Sequence, residues 1–183
     1  MSGDTPYAYS MQDSLPRQTL SKTAPLPGLK VEYNPQPSGQ LSQFGWLSYS
    51  RSFLPPNYSP YGSYSSTVSA PYASSYGNNL ELGYRLGDLT GRWSVEATGF
   101  ANFLSNLQVS ATNGAGESLI GTAGTAHSRG VEATAHWKPL NTLQLNAFLG
   151  LTYAAYDRFV FGSSDYSAKL LAVTPRRNFS FSG

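Results

Sequence analysis

Leu143-Gln-Leu-Asn-Ala-Phe-Leu-Gly-Leu-Thr-Tyr-Ala-Ala155 decides the fold class. Its odd positions are Leu143, Leu145, Ala147, Leu149, Leu151, Tyr153 and Ala155. Successive side chains of a strand point to opposite faces, so all seven share one face, and that face is apolar throughout. From Leu143 to Ala155 is twelve steps, roughly 40 Å of strand at about 3.3 Å per residue. Tilted by about 45°, such a strand climbs roughly 28 Å, close to the apolar band of about 25 Å on an outer-membrane barrel. Globular strands usually run about 5–6 residues. Length and one-sided apolarity together point to a strand that crosses a membrane.

The neighbouring segments carry the same pattern. Leu29, Val31 and Tyr33 alternate with Lys30 and Glu32. Leu47, Tyr49 and Phe53 alternate with serines, while Phe44 and Trp46 fall in the other register. Leu80, Leu82, Tyr84 and Leu86 share a face, as do Trp93, Val95, Ala97, Ala101 and Phe103, continuing to Leu107 and Val109. Phe100 breaks that last run. Val131, Ala133, Ala135 and Trp137 oppose Gly130, Glu132, Thr134 and His136, and residues 175–183 open a further strand. The expectation is an all-β fold: an incomplete antiparallel up-and-down transmembrane β-barrel segment, about seven strands of a larger barrel.

Connection lengths support this. Links at 34–40, 87–91 and 138–142 are short and turn-like, whereas those at 54–78, 111–125 and 157–173 are long. Outer-membrane barrels have short periplasmic turns and longer extracellular loops. Aromatic residues also gather at strand ends: Tyr84, Trp93 and Trp137 by the short turns, Tyr153, Tyr156 and Phe159 at the other end. Amphipathic rings favour the two membrane interfaces.

Composition is compatible. Charged residues are 12% of the 183, about half the share in a soluble domain, and 14% are aromatic. Mean hydropathy is −0.30. A polar lumen face lowers that average without arguing against a barrel. The formal charge of +2, with aromatic residues standing apart from Lys/Arg clusters, gives no case for nucleic acid. Absence of cysteine excludes disulfides and thiolate metal sites. No apolar run is long enough for a transmembrane helix.

Chemical motifs are absent or fail. His127 and His136 lack metal-ligand spacing, and His136 reads as a hydrated lumen residue beside Glu132 and Thr134. Gly116–Thr122 echoes a phosphate-binding loop but has Thr where the lysine must stand. Asn57-Tyr-Ser59 and Asn178-Phe-Ser180 match the glycosylation sequon, which is short enough to arise by chance. No catalytic constellation, metal site or cofactor is expected. Glu81, Arg85, Glu96, Glu132 and His136 are read as a solvated lumen face.

Several stretches resemble TonB-dependent outer-membrane receptors. These are Gln43-Phe-Gly-Trp-Leu-Ser-Tyr-Ser-Arg-Ser-Phe-Leu-Pro-Pro56, Leu80-Glu-Leu-Gly-Tyr-Arg85, Phe100-Ala-Asn-Phe103, Leu107-Gln-Val109, Trp137-Lys-Pro139 and Leu149-Gly-Leu-Thr-Tyr-Ala154. The most specific is Ala123-Gly-Thr-Ala-His-Ser-Arg-Gly-Val-Glu132, which is similar to a Gly-x-Ala-x-Ser-x-Gly-Val-Glu stretch of these receptors. The resemblance covers roughly residues 25–183, as a partial barrel, and leaves 1–24 as an irregular segment. It implies a barrel of about 22 strands around a plug. It further implies uptake of scarce nutrients across the outer membrane of a Gram-negative bacterium, most often ferric siderophores, driven by the TonB–ExbB–ExbD complex acting through the plug.

Residues 1–7 show neither a basic nor an apolar signal-peptide region, and no plug, TonB-contacting box or closing aromatic strand is recognisable. The expectation is a piece of a receptor that needs the rest of the barrel as its partner. Within it, Tyr58, Tyr61 and Tyr64 of the long 54–78 loop are the candidate ligand contacts, because tyrosines give rigid, amphipathic contact area. A passive porin-like barrel and a soluble all-β binding module are the alternatives.

Overall fold

The computed structural model describes residues 22–55, 73–112, 118–122, 124–161, 164–172 and 174–183. All regular structure among them is β. The strands are β1 (Gly28–Tyr33), β2 (Leu41–Leu54), β3 (Ser75–Asp88), β4 (Trp93–Ser105), β5 (Gln108–Thr112), β6 (Ser118–Thr122), β7 (Thr125–Leu140), β8 (Leu143–Arg158), β9 (Val160–Phe161), β10 (Ser164–Asp165) and β11 (Arg177–Ser182). One seven-stranded sheet runs in the order β1-β2-β3-β4-β7-β8-β11, every neighbouring pair antiparallel. It is an open meander with β1 and β11 at its edges. The hairpins β5–β6 and β9–β10 are separate two-stranded ribbons within long connections.

The register divides the sheet into two faces. One row crosses all seven strands: Tyr33, Gly45, Tyr84, Ala97, Ala133, Leu149 and Phe179. Parity then puts Leu29, Val31, Leu47, Leu80, Leu82, Val95, Val131, Leu151 and Phe181 on the same face. The other face carries Ser48, Ser50, Asn79, Glu81, Arg85, Glu96, Thr98, Asn102, Ser128, Glu132, Thr134, His136, Asn146, Asn178 and Ser180. The expected two-sided pattern is therefore present in every strand of the sheet.

The same row shows a stagger. Tyr33 is the last residue of β1, yet β3 runs on from Tyr84 to Asp88, and β7 from Ala133 to Leu140. The short turns thus step along the strands as the sheet is crossed. A sheet closes into a barrel only with strand tilt and such a stagger.

Four local readings change. β4 stops at Ser105 instead of running to Val109, because Asn106 adopts a left-handed backbone (φ 54°) that turns the chain out of the sheet. Asn106 is held there: its N–H donates to Gly124 O at 2.8 Å, its side-chain amide donates to Ser74 O at 3.2 Å, and its carbonyl accepts from Ser75 Oγ at 2.5 Å. β3 begins at Ser75, earlier than the period-two run suggested. Lys138–Leu140 still belong to β7, because a register shift between Trp137 and Leu140 makes room for Pro139, a residue that strands tolerate at bulges. The long 157–173 connection contains β9–β10.

The described residues form no conventional core. Among the described residues the buried apolar side chains are only Ala126, Ala154, Ala155 and Phe159, and no large side chain is fully buried. The apolar face stands open instead, with Leu82 63% and Phe179 71% exposed. Monomeric soluble proteins rarely leave more than a few hundred Å² of contiguous apolar surface uncovered. A seven-strand face of this kind needs an apolar solvent, which disfavours the soluble binding module.

Candidate functional site

The apolar face is zoned along the strands. On β4, Trp93 lies beside a short turn and Phe103 near the long connection, with Val95, Ala97, Gly99 and Ala101 between. Ten steps separate the two rings, about 34 Å of strand, which climbs roughly 26 Å at a tilt of about 40°. Trp93 and Trp137 are direct cross-strand partners by the short turns. Two tyrosine hydroxyls on this face have partners: Tyr84 Oη donates to Gln43 Oε1 at 2.6 Å, and Tyr49 Oη to Asn78 Oδ1 at 3.0 Å. That spares the desolvation cost of an unpaired group in hydrocarbon.

The polar face is a connected network. Arg85 and Glu96 are register partners and form a two-pronged ion pair, Nε and Nη2 to Oε2 at 2.7 and 2.6 Å. The Trp46 indole donates to Glu81 Oε1 at 2.5 Å, and His136 Nδ1 lies 2.9 Å from Asn146 Oδ1. Asn102 donates to Ser128 Oγ at 3.0 Å and Asn79 to Ser50 Oγ at 3.3 Å. The lumen reading of Glu81, Arg85, Glu96, Glu132 and His136 therefore agrees with the register. Glu32, Glu81, Glu96 and Glu132 share this face with Lys30 and Arg85. Such a surface can hydrate a channel or accept hydrogen bonds from a solute.

The residues that broke the period-two pattern now have a reason. Trp46, Phe100 and Phe148 point to the polar face. Trp46 is paired with Gly83 and Phe100 with Gly130, and each ring occupies the space that a Cβ on its partner would need. The rings cover bare backbone, and Phe44 stacks on Trp46 at 5.7 Å. The sequence holds the signal as glycine and aromatic residues, but only register shows which pair.

At the far end, the segment after β10 folds back onto β8. Tyr156 N donates to Lys169 O at 2.9 Å, Ala168 N to Tyr156 O at 2.8 Å and Leu171 N to Ala154 O at 3.1 Å. Phe159 is buried between Tyr156 and Tyr166, at 4.9 and 5.3 Å between ring centres. Lys169 Nζ sits 5.1 Å from the Tyr166 ring centre, leaving an aromatic–cation pair at the surface. The sequence reading passed over Tyr166 and Lys169, which stand three apart in an apparently structureless loop. Tyr58, Tyr61 and Tyr64 lie outside the described residues. His127 Nδ1 meets Asp157 Oδ1 at 2.7 Å.

Asp165 ties this outer ribbon together. Its carboxyl lies below the usual carboxylate range, first because of the Ser167 side-chain hydrogen bond, then the Ser167 N–H at 2.8 Å, with Lys169 adding attraction. A lowered folded-state value means that the tie is complete above the usual carboxylate range and is lost as pH falls through the lowered value. Hydrogen exchange should show the Ser167 amide losing protection in that acid window. Asp165→Asn should flatten the pH response.

Comparison with curated proteins finds no match. The family model "TonB dependent receptor-like, beta-barrel" matches residues 2–183. Staggered, two-faced strands joined by short turns at one end and long connections at the other are a barrel wall, and the match spans nearly all of the chain that builds it. The chain belongs to the TonB-dependent receptor-like β-barrel family.

Proposed function

We propose that this sheet is a sector of the outer-membrane barrel of a receptor that takes up ferric siderophores. The observation that carries the membrane part is the division of one sheet into an uncovered apolar face and a hydrogen-bonded polar face. The apolar face meets lipid and the polar face meets the lumen. An open sheet edge is not tolerated in hydrocarbon, so β1 and β11 pair with further strands of the receptor. Coupling to TonB goes through a plug, not through these strands.

Siderophore specificity is supported by the outer-end chemistry. The long 54–78 connection holds Tyr58, Tyr61 and Tyr64, and the described outer ribbon presents Tyr166 with Lys169. Rings and a cation suit a flat, anionic, aromatic chelate. In the intact receptor, replacing Tyr58, Tyr61 and Tyr64 together by Ala should weaken ferric-chelate binding about tenfold or more, read by fluorescence quenching. Unchanged affinity would remove these residues from the site. Uptake that persists after the proton-motive force is collapsed would instead indicate a passive pore.

A further inference from the structure

Two register rows meet near the short-turn end of the polar face. Ser94, His136, Asn146 and Ser182 form one row across β4, β7, β8 and β11. Glu96, Thr134, Phe148 and Ser180 form the next. A cavity of about 220 Å³ lies against these rows, lined by Ser94, Thr134, His136, Asn146, Phe148 and the two serines of β11. The two rows span three strand spacings and one two-residue step, about 14 Å by 7 Å. Sites for drug-sized ligands begin at about 300 Å³, so this one suits a single ring of a solute.

The lining holds no carboxylate, lysine or arginine. Glu96, the register partner of Thr134, is held by Arg85. An ionic guest would therefore meet no counter-charge in the lining. His136 Nδ1 lies 2.9 Å from Asn146 Oδ1. A carbonyl oxygen only accepts, so Nδ1 carries the proton and Nε2 of the neutral ring is left as an acceptor. Asn146 is fixed further by Gln144 and Ser182, each at 3.5 Å. The hydroxyls of Ser94, Thr134 and Ser180 make no hydrogen bond among the described residues, so each can both donate and accept. Phe148 adds an aromatic ring beside them. A neutral sugar ring matches this set: each of its rim hydroxyls donates and accepts, and its C–H groups lie flat against an aromatic face.

We propose that Ser94, Thr134, His136, Asn146, Phe148 and Ser180 form a subsite for one neutral hexose ring on the lumen wall. It stands at the opposite end of the strands from the long connections and selects an uncharged guest. It rests on the wall reading above in one respect, that this face is wet. The guest replaces water on open hydroxyls, so few bonds are gained net, and a dissociation constant on the order of 1 mM is expected.

The test titrates the full chain, folded in dodecylphosphocholine micelles, with D-glucose and follows saturation transfer by NMR. Transfer to the glucose ring protons should saturate in the millimolar range, and the His136 ring signal should shift along the same curve. The chain has two histidines, and His127→Gln removes the other signal. His136→Phe and Phe148→Ala should each weaken binding about five- to tenfold. Phe44→Ala should leave it unchanged, because Phe44 lies in the same row as Phe148 but four strands away. Binding that survives both His136→Phe and Phe148→Ala overturns the subsite. So does gluconate binding more tightly than glucose, which would mark an anion site. If the variants do not fold, wild type decides: glucose binding that leaves the His136 signal unmoved overturns the subsite. A chain folded in micelles that ignores glucose defeats this inference alone. A chain that folds in water without detergent defeats the wall reading and the subsite with it.

Discussion

Leu82→Arg should destabilise the protein by about 2–4 kcal/mol in a bilayer while changing little in water. Leu82 is 63% exposed on the apolar face and lies in the middle of β3, two residues from Tyr84 and from Leu80. For a soluble sheet, an exposed leucine exchanged for arginine is close to neutral. In hydrocarbon the guanidinium must be desolvated or must drag water inward. Thr134→Arg is the control. Thr134 is exposed on the opposite face, directly across from Glu96, so its cation stays hydrated and gains a nearby carboxylate. The pair should be compared by urea unfolding in phospholipid vesicles. Equal, small effects would mean that the two faces see the same solvent, and the barrel-wall assignment would fall.

Gly130→Ala should cost about 2 kcal/mol, in the middle of the overpacking range. A Cβ there would stand 2.3 Å from the Leu151 carbonyl oxygen and 2.7 Å from Phe100 Cζ. The ring could swing away, but the carbonyl belongs to the β8 backbone, so β7 and β8 would have to separate. Gly99 provides the contrast. It pairs with Val131, the residue beside Gly130, yet nothing lies within 4 Å of where its Cβ would be. Gly99→Ala should be neutral or stabilising by up to about 1 kcal/mol, because alanine has less unfolded-state freedom to lose. Gly83→Ala belongs with Gly130 in sign. The clashing atoms there, 2.0–2.5 Å away, are in the Trp46 indole, which can rotate at the expense of its bond to Glu81. Denaturant midpoints of the three variants in one micelle system settle the order, and a destabilised Gly99→Ala with an unaffected Gly130→Ala would refute it.

Much of the wall was legible in the sequence, strand by strand. Leu143–Ala155 shows its apolar face without help, and β8 contains it whole. The alternation of short and long links also held, since all three short links are turns at one end of the sheet. Legibility failed where local geometry overrode the pattern. Leu107 and Val109 keep the parity of β4, but the left-handed Asn106 removes them from the sheet. Pro139 reads as a turn residue, yet a bulge keeps it within β7. The outer ribbon of Asp165, Ser167 and Lys169 has no period to read, because side-chain hydrogen bonds and a left-handed Ala168 (φ 61°) shape it.

The candidate site divides in the same way. Parity alone assigned Glu81, Arg85, Glu96, Glu132 and His136 to the lumen, and register agreed. The Tyr58, Tyr61 and Tyr64 assignment rests on composition and resemblance, and its support remains of that kind.

The sequence by itself determined the face of nearly every strand residue, because side-chain direction alternates with a period of two and each strand has one apolar side. It also determined which face is wet, since Glu32, Glu81, Glu96 and Glu132 all fall opposite the leucines. Tertiary structure alone decided who meets whom across strands. Parity does not say how far one strand slides past the next; interstrand hydrogen bonds, bulges and the stagger set that. Only the register places Trp46 over Gly83 and Phe100 over Gly130. Only the register brings Arg129 and Arg177, far apart in the chain, to either side of β8 on one face.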